Sequence, residues 1–431
     1  MAYLQSGGEF LPPFNEGTFT VNVVATPGTS LQDLHAEYQV DGKTVLARTE
    51  PRIDLDLNRA APGPGVPVIG WRGRWTGRFV PPGPGRYRLV LDQAQCWKDC
   101  TLHDMVTLTL GGRVLHAGML PKGRVELTID SDGSAQPIAL ELDHRSEDES
   151  LRLLWLPPAE PLLAEAVAAA KAADVAVVVV GLSPDLEGEA LQVQVPGFVG
   201  GDRTDIALPA PQARLVEAIR ATGKPIVLVL ASGSAVSVDS GQADAILALW
   251  YPGEAGGTAL ADTLAGASNP SGRLPVTFYR ATGDLPAFID YGMKERTYRY
   301  FTGQPLWGFG HGLSYTKFAY GDVAVKASGI GQPVQISAKL TNAGNRSGDE
   351  VSQVYVVPPD AGKPGGFTTP VLQRQLSGFQ RASLAPGKSA SLSFTLDPRS
   401  ISSVARDGTR RVLPGSYRVW IGGGQPGDGA G

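Results

Sequence analysis

The chain has 431 residues, of which 42% are hydrophobic and 19% charged, and its 42 acids against 38 bases leave a net charge of −4. At about 100–200 residues per domain this length makes roughly two to four domains, and the apolar content excludes long disorder. A near-balanced charge without a dense Lys/Arg run argues against a nucleic-acid partner, and the most apolar stretch, Leu162–Leu182, is broken by Glu165, Lys171 and Asp174, which argues against a membrane span of about 20 uncharged residues.

The 54 glycines and 34 prolines make up about a fifth of the chain against about an eighth at average usage. They follow no collagen period, so the excess predicts many turns and short strands. Residues 36–157 carry such strands at Thr44–Ala47, Gly73–Val80, Gly85–Leu91, Met105–Leu110, Arg113–His116, Val125–Ile129, Pro137–Leu142 and Leu151–Trp155. Turn signals such as Asp41-Gly42 and Asp132-Gly133 separate them, and the spacing predicts a β-sandwich. Trp71, Trp75 and Trp97 are either core residues of that sandwich or platforms for sugar rings. The chain's two cysteines, Cys96 and Cys100, are too few for a structural zinc site even with His103 nearby, and read as a local disulfide or two free thiols.

Pro157, Pro158 and Pro161 mark a boundary, and residues 158–320 change character. Helical patterns at Leu162–Ala173, Ala210–Ala221 and Thr258–Leu264 alternate with apolar strands at Val175–Val180, Pro225–Leu230 and Ala245–Trp250. That alternation predicts a mostly parallel sheet covered on both faces. Asn269-Pro270-Ser271-Gly272 reads as a turn launching a strand at Leu274–Phe278, and Trp307, Phe309, His311 and Tyr315 as packing residues between domains. Residues 321–425 return to strands at Val334–Thr341, Glu350–Val357, Ser389–Thr395 and Ser416–Ile421, and 426–431 form a tail. The fold class is therefore multidomain α/β plus all-β: a sandwich, an α/β layer and a second sandwich.

In a parallel sheet ligands gather at the carboxyl ends of the strands, which directs attention to the loop after Val180. It reads Gly181-Leu182-Ser183-Pro184-Asp185-Leu186-Glu187-Gly188-Glu189, with three carboxylates in five residues. Three readings stand side by side: a solvated acidic loop, a divalent-cation site without the EF-hand cadence, or a general acid in a semi-enclosed cleft. Gly200-Gly201-Asp202-Arg203-Thr204-Asp205 follows, and an Asp-Arg pair of this kind more often pins a loop than touches a substrate.

The strings VVVVGLSPDLEGE, GGDRTDIALP, GKPIVLVLASGSAV, WYPGEAGGTALAD, NPSGRLPVTF, RTYRYF and PLWGFGHGLSYTKF resemble the C-terminal α/β sandwich domain of glycoside hydrolase family 3. The last hundred residues are similar to the fibronectin type III-like domain that closes many of these enzymes. VLARTEPRIDLDL and WRGRWTGRFVPPGPGRYRL resemble the protective-antigen-type β-sandwich of family β-glucosidases and β-xylosidases. The resemblance implies a retaining double displacement at a β-linked sugar, with one carboxylate as nucleophile and a second as acid/base. In the family the nucleophile is an Asp on a (β/α)8 barrel, and the acid/base is often a Glu on a loop of the α/β sandwich. Glu189 matches the second Glu of the family's Glu-x-Glu pattern and is the first choice for acid/base, with Glu187 the alternative. Ala190–Gly200 separates this Glu from the Asp-Arg pair more widely than most members do, which resembles the xylosidase-like subgroup and leaves the register open.

A barrel takes about 250 residues, and no such segment precedes the sandwich, so the chain is expected to hydrolyse little or no aryl β-glycoside unaided. The implied partner is a β-linked oligosaccharide or glycoside, with a second copy of the chain a further candidate and no cofactor or metal implied. Intact family members are expected to be periplasmic or secreted, although Met1–Phe10 shows no signal-peptide pattern. Residues 7–32 are similar to a segment of heavy-metal efflux pumps of the resistance–nodulation–division class, which makes 1–35 a foreign-looking segment. The alternative function is a non-catalytic carbohydrate-binding or scaffold protein built from the same sandwiches.

Overall fold

The computed structural model describes residues 31–55, 60–93, 103–145, 150–187, 194–200, 202–359, 361, 372–405 and 407–427. Contacts divide the chain into two units, one spanning Val21–Ala172 and the other containing Ala173–Gly431.

The first unit runs β1 (Leu31–Val40), β2 (Lys43–Thr49), β3 (Asp54–Leu55), β4 (Trp71–Phe79), β5 (Gly85–Asp92), β6 (Met105–Leu110), β7 (Arg113–Gly118), β8 (Arg124–Ser131), β9 (Gln136–His144), β10 (Leu151–Leu156) and α1 (Ala159–Ala172). Two sheets form, ordered β2-β1-β4-β9-β6-β7 and β3-β10-β5-β8. Period-two alternation drives them together: Ile138, Leu140 and Leu142 of β9 face the core while Pro137 and Glu141 face out. Trp71 and Trp75 are 1% and 0% exposed, so of the two sequence readings they take the core one and are not sugar platforms; Trp97, Cys96 and Cys100 lie outside the described residues. Gly73 makes their packing possible, because a Cβ there would lie 2.4 Å from the Trp75 ring. The buried Glu50 carboxylate accepts from Trp75 Nε1 and the Tyr38 hydroxyl, each at 2.7 Å, and from Arg48 Nε. Every strand expected in this sandwich forms; β1 was not foreseen, and it begins inside the segment that looked foreign.

The second unit opens with β11 (Ala176–Gly181), α2 (Pro184–Glu187), β12 (Gln194–Val195), β13 (Phe198–Val199), β14 (Asp202–Arg203), α3 (Ala210–Arg220), β15 (Ile226–Ala231), β16 (Ala245–Ala248), α4 (Gly256–Ala265) and α5 (Thr297–Tyr300). β11, β15 and β16 pair in parallel in that order. Burial on both faces holds for β15 but not for its neighbours: Val177 of β11 is 48% exposed, and no residue of β16 is fully buried. The expected strand at Leu274–Phe278 does not form. Pro275 removes an N–H at its second position, and the segment makes isolated backbone bonds to Leu306, Trp307, Gly310 and His311.

The chain then builds β17 (Phe318–Ala327), β18 (Val334–Asn342), β19 (Gly348–Val357), β20 (Gln375–Leu384), β21 (Ser389–Leu396), β22 (Ser403–Val404), β23 (Arg410–Arg411) and β24 (Arg418–Gly422). Sheets β17-β18-β21 and β20-β19-β24 face each other across Ile336, Leu340, Val354, Val356, Leu392 and Phe394. This sandwich is welded to the Asn269–Arg273 turn. Arg273 Nη2 donates to Glu350 Oε2 at 2.8 Å, with the two side chains 8% and 4% exposed, and Arg273 Nε donates to the Gly423 carbonyl. Asn269 donates to the Ser347 carbonyl and accepts from Ser314 and Tyr315. Burial, with Glu350 beside it, pushes the Tyr320 phenol above its ordinary range.

Removing one partner of a buried ion pair strands the other charge, at a cost of about 3–5 kcal/mol. Arg273→Met is therefore expected to lower unfolding stability by about that amount in denaturant titration, and the double variant Arg273→Met/Glu350→Leu to recover a large part of it.

Candidate functional site

The site is set by where the parallel strands end. β11 ends at Gly181, opposite Ala231 at the end of β15, and Leu230 of β15 stands opposite Ala248 of β16. Gly181 has φ +149°, and a Cβ there would lie 1.7 Å from the Ala231 carbonyl oxygen, so only glycine lets the strands run this close together at their exit. Its N–H donates to Gln212 Oε1 and its carbonyl accepts from Gln212 Nε2, both at 2.8 Å. The side-chain amide of α3 thus supplies the donor and acceptor that a neighbouring strand would offer at that edge.

From these ends three loops converge. The loop after β11 turns into α2, whose last residue is Glu187. The loop after β15 is shaped by Ser232, whose hydroxyl donates to the Ser234 carbonyl and accepts from the Ser234 N–H. The loop after β16 turns at Trp250, which has φ +59°, a rare conformation for a bulky side chain. Trp250 is held by edge-on packing against Phe278, and the turn delivers Tyr251. Glu187 Oε2 accepts from the Tyr251 hydroxyl at 2.6 Å and Oε1 from the Ser234 hydroxyl at 2.9 Å. Arg203 of β14 stands behind, donating through Nη1 to Ser234 Oγ at 2.9 Å and to the Ala235 carbonyl at 2.8 Å. Among the described residues its Nη2 is buried without a partner. Burial pushes the Arg203 guanidinium below its ordinary value, opposed by Glu187 and Asp205.

The sequence-predicted residues fare differently. Glu187 lies at the convergence and is half-buried; Glu189 lies outside the described residues. Arg203 pins a loop, as expected of its pair, whereas Asp202 is exposed. Within the insertion β12 and β13 pair, and β13 pairs in turn with β14 of the Asp-Arg pair, in a small antiparallel sheet, with Phe198 packed on Leu182 and Val236. Asp205 accepts from the Ala207 N–H and the Thr282 hydroxyl, which hold its carboxyl below the ordinary value. Sequence reasoning missed Ser234, Tyr251 and Gln212; the only signal was their place just after apolar strands or in the first turn of a helix. Trp307 packs on Phe278 and Phe309 stacks on Tyr298 at 4.3 Å, while the Tyr315 hydroxyl donates to the Thr263 carbonyl. A groove of about 410 Å³ beside α3 is lined in part by Leu208, Val216, Asp239 and Arg280. Asp239 there accepts from the Gly241 N–H and Arg280 donates to the Gln304 carbonyl. Among the described residues no group of three His, Cys, Asp or Glu side chains could hold a metal ion, and no helix is long and apolar enough to cross a membrane.

Comparison with known proteins identifies the family. The description "Glycosyl hydrolase family 3 C-terminal domain" matches residues 13–315, and "Fibronectin type III-like domain" matches 350–425. The chain belongs to glycosyl hydrolase family 3. It is 41% identical over 245 residues to a xylan 1,4-beta-xylosidase of Xylanibacter ruminicola, covering 56% of this chain and 28% of that protein. It is 37% identical over 279 residues to a periplasmic beta-glucosidase of Salmonella typhimurium, covering 61% of this chain and 34% of that one. The chain thus spans about a third of the length of these relatives. Among solved structures, the beta-glucosidase of Kluyveromyces marxianus in complex with glucose matches 93% of this chain and 51% of its own at TM-score 0.67 and 22% identity, a likeness of fold. A family 3 beta-glucosidase of Bifidobacterium adolescentis matches 63% of this chain and 40% of its own at TM-score 0.54 and 33% identity. The family match begins inside residues 7–32, and nothing in these matches supports the likeness of that segment to an efflux pump.

Two variants test this geometry. Gly181→Ala is expected to destabilise the unit by several kcal/mol in denaturant titration, on the order of the losses that strained backbone sites show. Asp205 has a depressed carboxyl pKa in the folded state, so its contribution is complete above about 3.9, the unfolded value, and is lost as pH falls through the lower folded value. Asp205→Asn is expected to lower stability at neutral pH and to flatten the acid limb of the stability curve; unchanged curves would contradict the assignment.

Proposed function

We propose that this chain forms the acid/base side of a retaining β-glycosidase that cleaves β-glucosides or β-xylosides, with Glu189 as the proton donor and later the base. The observation that carries the reading is a family 3 chain whose Glu187-Gly188-Glu189 loop leaves the first strand of a parallel sheet at the edge where ligands gather. In this mechanism the nucleophilic Asp sits on a (β/α)8 barrel. The described parallel sheet of this chain has three strands, so the reading assigns the nucleophile to a part of the enzyme other than these domains. Glu189 protonates the glycosidic oxygen as the Asp attacks the anomeric carbon, then takes a proton from the water that releases the sugar. The relatives include both a xylosidase and a glucosidase, and the barrel would hold most contacts that choose between the sugars. The Salmonella relative is a periplasmic beta-glucosidase, which agrees with an extracytoplasmic role here. For the non-catalytic carbohydrate-binding alternative, Trp71 and Trp75 are core residues and supply no sugar platform.

The test is complementation. The chain alone is expected to turn over little or no aryl β-glycoside, and addition of a relative's barrel domain is expected to restore turnover. In that complex Glu189→Gln should lower kcat by about 10²–10⁴, the usual worth of a general acid–base group. Full turnover by the chain alone, or an undiminished Glu189→Gln complex, would refute the reading.

A further inference from the structure

We propose that Glu187 is a positioning residue: with Tyr251, Ser234 and Arg203 it forms a latch that clamps the loop after β11 to the loops after β15 and β16. The inference rests on the proposed function, in which that loop carries the proton donor two residues further along the chain.

Three observations make the case. First, both oxygens of Glu187 are occupied as acceptors, one from Tyr251 at 2.6 Å and one from Ser234 at 2.9 Å. Each oxygen is thereby tied to a neighbouring loop, which fixes the carboxylate in place. Second, the donors come from different strand ends, 47 and 64 residues away in sequence. A surface acidic loop would have no reason to recruit both, and hydrogen bonds to a charged acceptor are the stronger kind. Third, the surroundings are shaped for the contact. Gly233 leaves room for the Tyr251 ring, since a Cβ there would lie 2.8 Å from it and 3.8 Å from Glu187 Oε2. Trp250 bears a left-handed backbone to aim that ring, and Arg203 holds Ser234 from behind. The return segment is tied to the same point, because Arg203 lies on β14 and its Nε donates to the Asp205 carbonyl. Glu187 and Arg203, on either side of the insertion, therefore meet at Ser234.

The latch predicts a local effect, readable without substrate by hydrogen exchange on the full chain. The probes are the Leu186 and Glu187 amides, bonded to the Ser183 carbonyl, and the Thr204 amide, bonded to the Gly197 carbonyl. Tyr251→Phe and Ser234→Ala are each expected to speed exchange of these amides by about ten- to hundredfold, the range for losing one bond to a charged group. Exchange in β18, β19 and β21 and the thermal midpoint should stay at wild-type values. Ser234→Thr, which keeps the hydroxyl, should restore slow exchange. Unchanged exchange in the Phe and Ala variants, or a rise spread over the whole unit with a fallen midpoint, would overturn the latch. Should Glu187→Gln fail to fold, the two hydroxyl deletions still decide the matter. Because no catalysis is read, a negative result here leaves the glycosidase reading standing, and failed complementation with the expected exchange pattern would sink only that reading.

Discussion

Parallel pairing of β11, β15 and β16 is the constraint on which the site depends. Parallel neighbours cannot be joined by a tight turn, so each needs a crossover, and the loops leaving their carboxyl ends come from distant parts of the sequence. The register aligns Gly181 with Ala231 and Leu230 with Ala248, which brings those loops within hydrogen-bonding reach. Gly181 is the tightest point, since any side chain there would collide with the Ala231 carbonyl. Gln212 then closes the backbone bonds that the edge strand would leave open.

Two buried carboxylates elsewhere are held by converging donors. Glu50 lies inside the first sandwich because Trp75, Tyr38 and Arg48 all donate to it. Arg273 and Glu350 are buried together, with carbonyls of Ser271, Gly272 and Gly423 satisfying the rest of the guanidinium. That weld makes the α/β layer and the fibronectin type III-like sandwich parts of one unit. Glu187 is half-buried, and its two hydroxyl donors and the guanidinium behind them join one loop to two others.

Most of the long strands of both sandwiches were legible because their alternation is a property of neighbouring residues, as in β9, where Ile138, Leu140 and Leu142 mark the inner face. The helices and parallel strands were legible for the same reason. β17 and β20 were missed because most of their residues remain at least partly exposed, which erases the alternation. The strand expected at Leu274–Phe278 failed on Pro275, a local signal outweighed by its apolar neighbours. At the site, Glu187 and Arg203 could be read from their motifs. Tyr251 and Ser234 could not, since their contact with Glu187 spans crossovers that no local pattern encodes. The family likeness was legible throughout residues 160–320 because its strings are long and ordered, whereas the short likeness of residues 7–32 to a pump found no support.

The central claim is that the loop after β11 carries the proton donor of a retaining enzyme, and the most direct measurement is anion rescue in the chain complexed with a relative's barrel. Removal of a general acid/base from a retaining site leaves a glycosyl-enzyme that water attacks slowly and that a small anion, needing no base, attacks readily. With Glu189→Gly and a 2,4-dinitrophenyl β-glycoside, added azide is predicted to raise kcat and to yield the β-glycosyl azide. No acceleration by azide, or an α-configured product, would contradict the account.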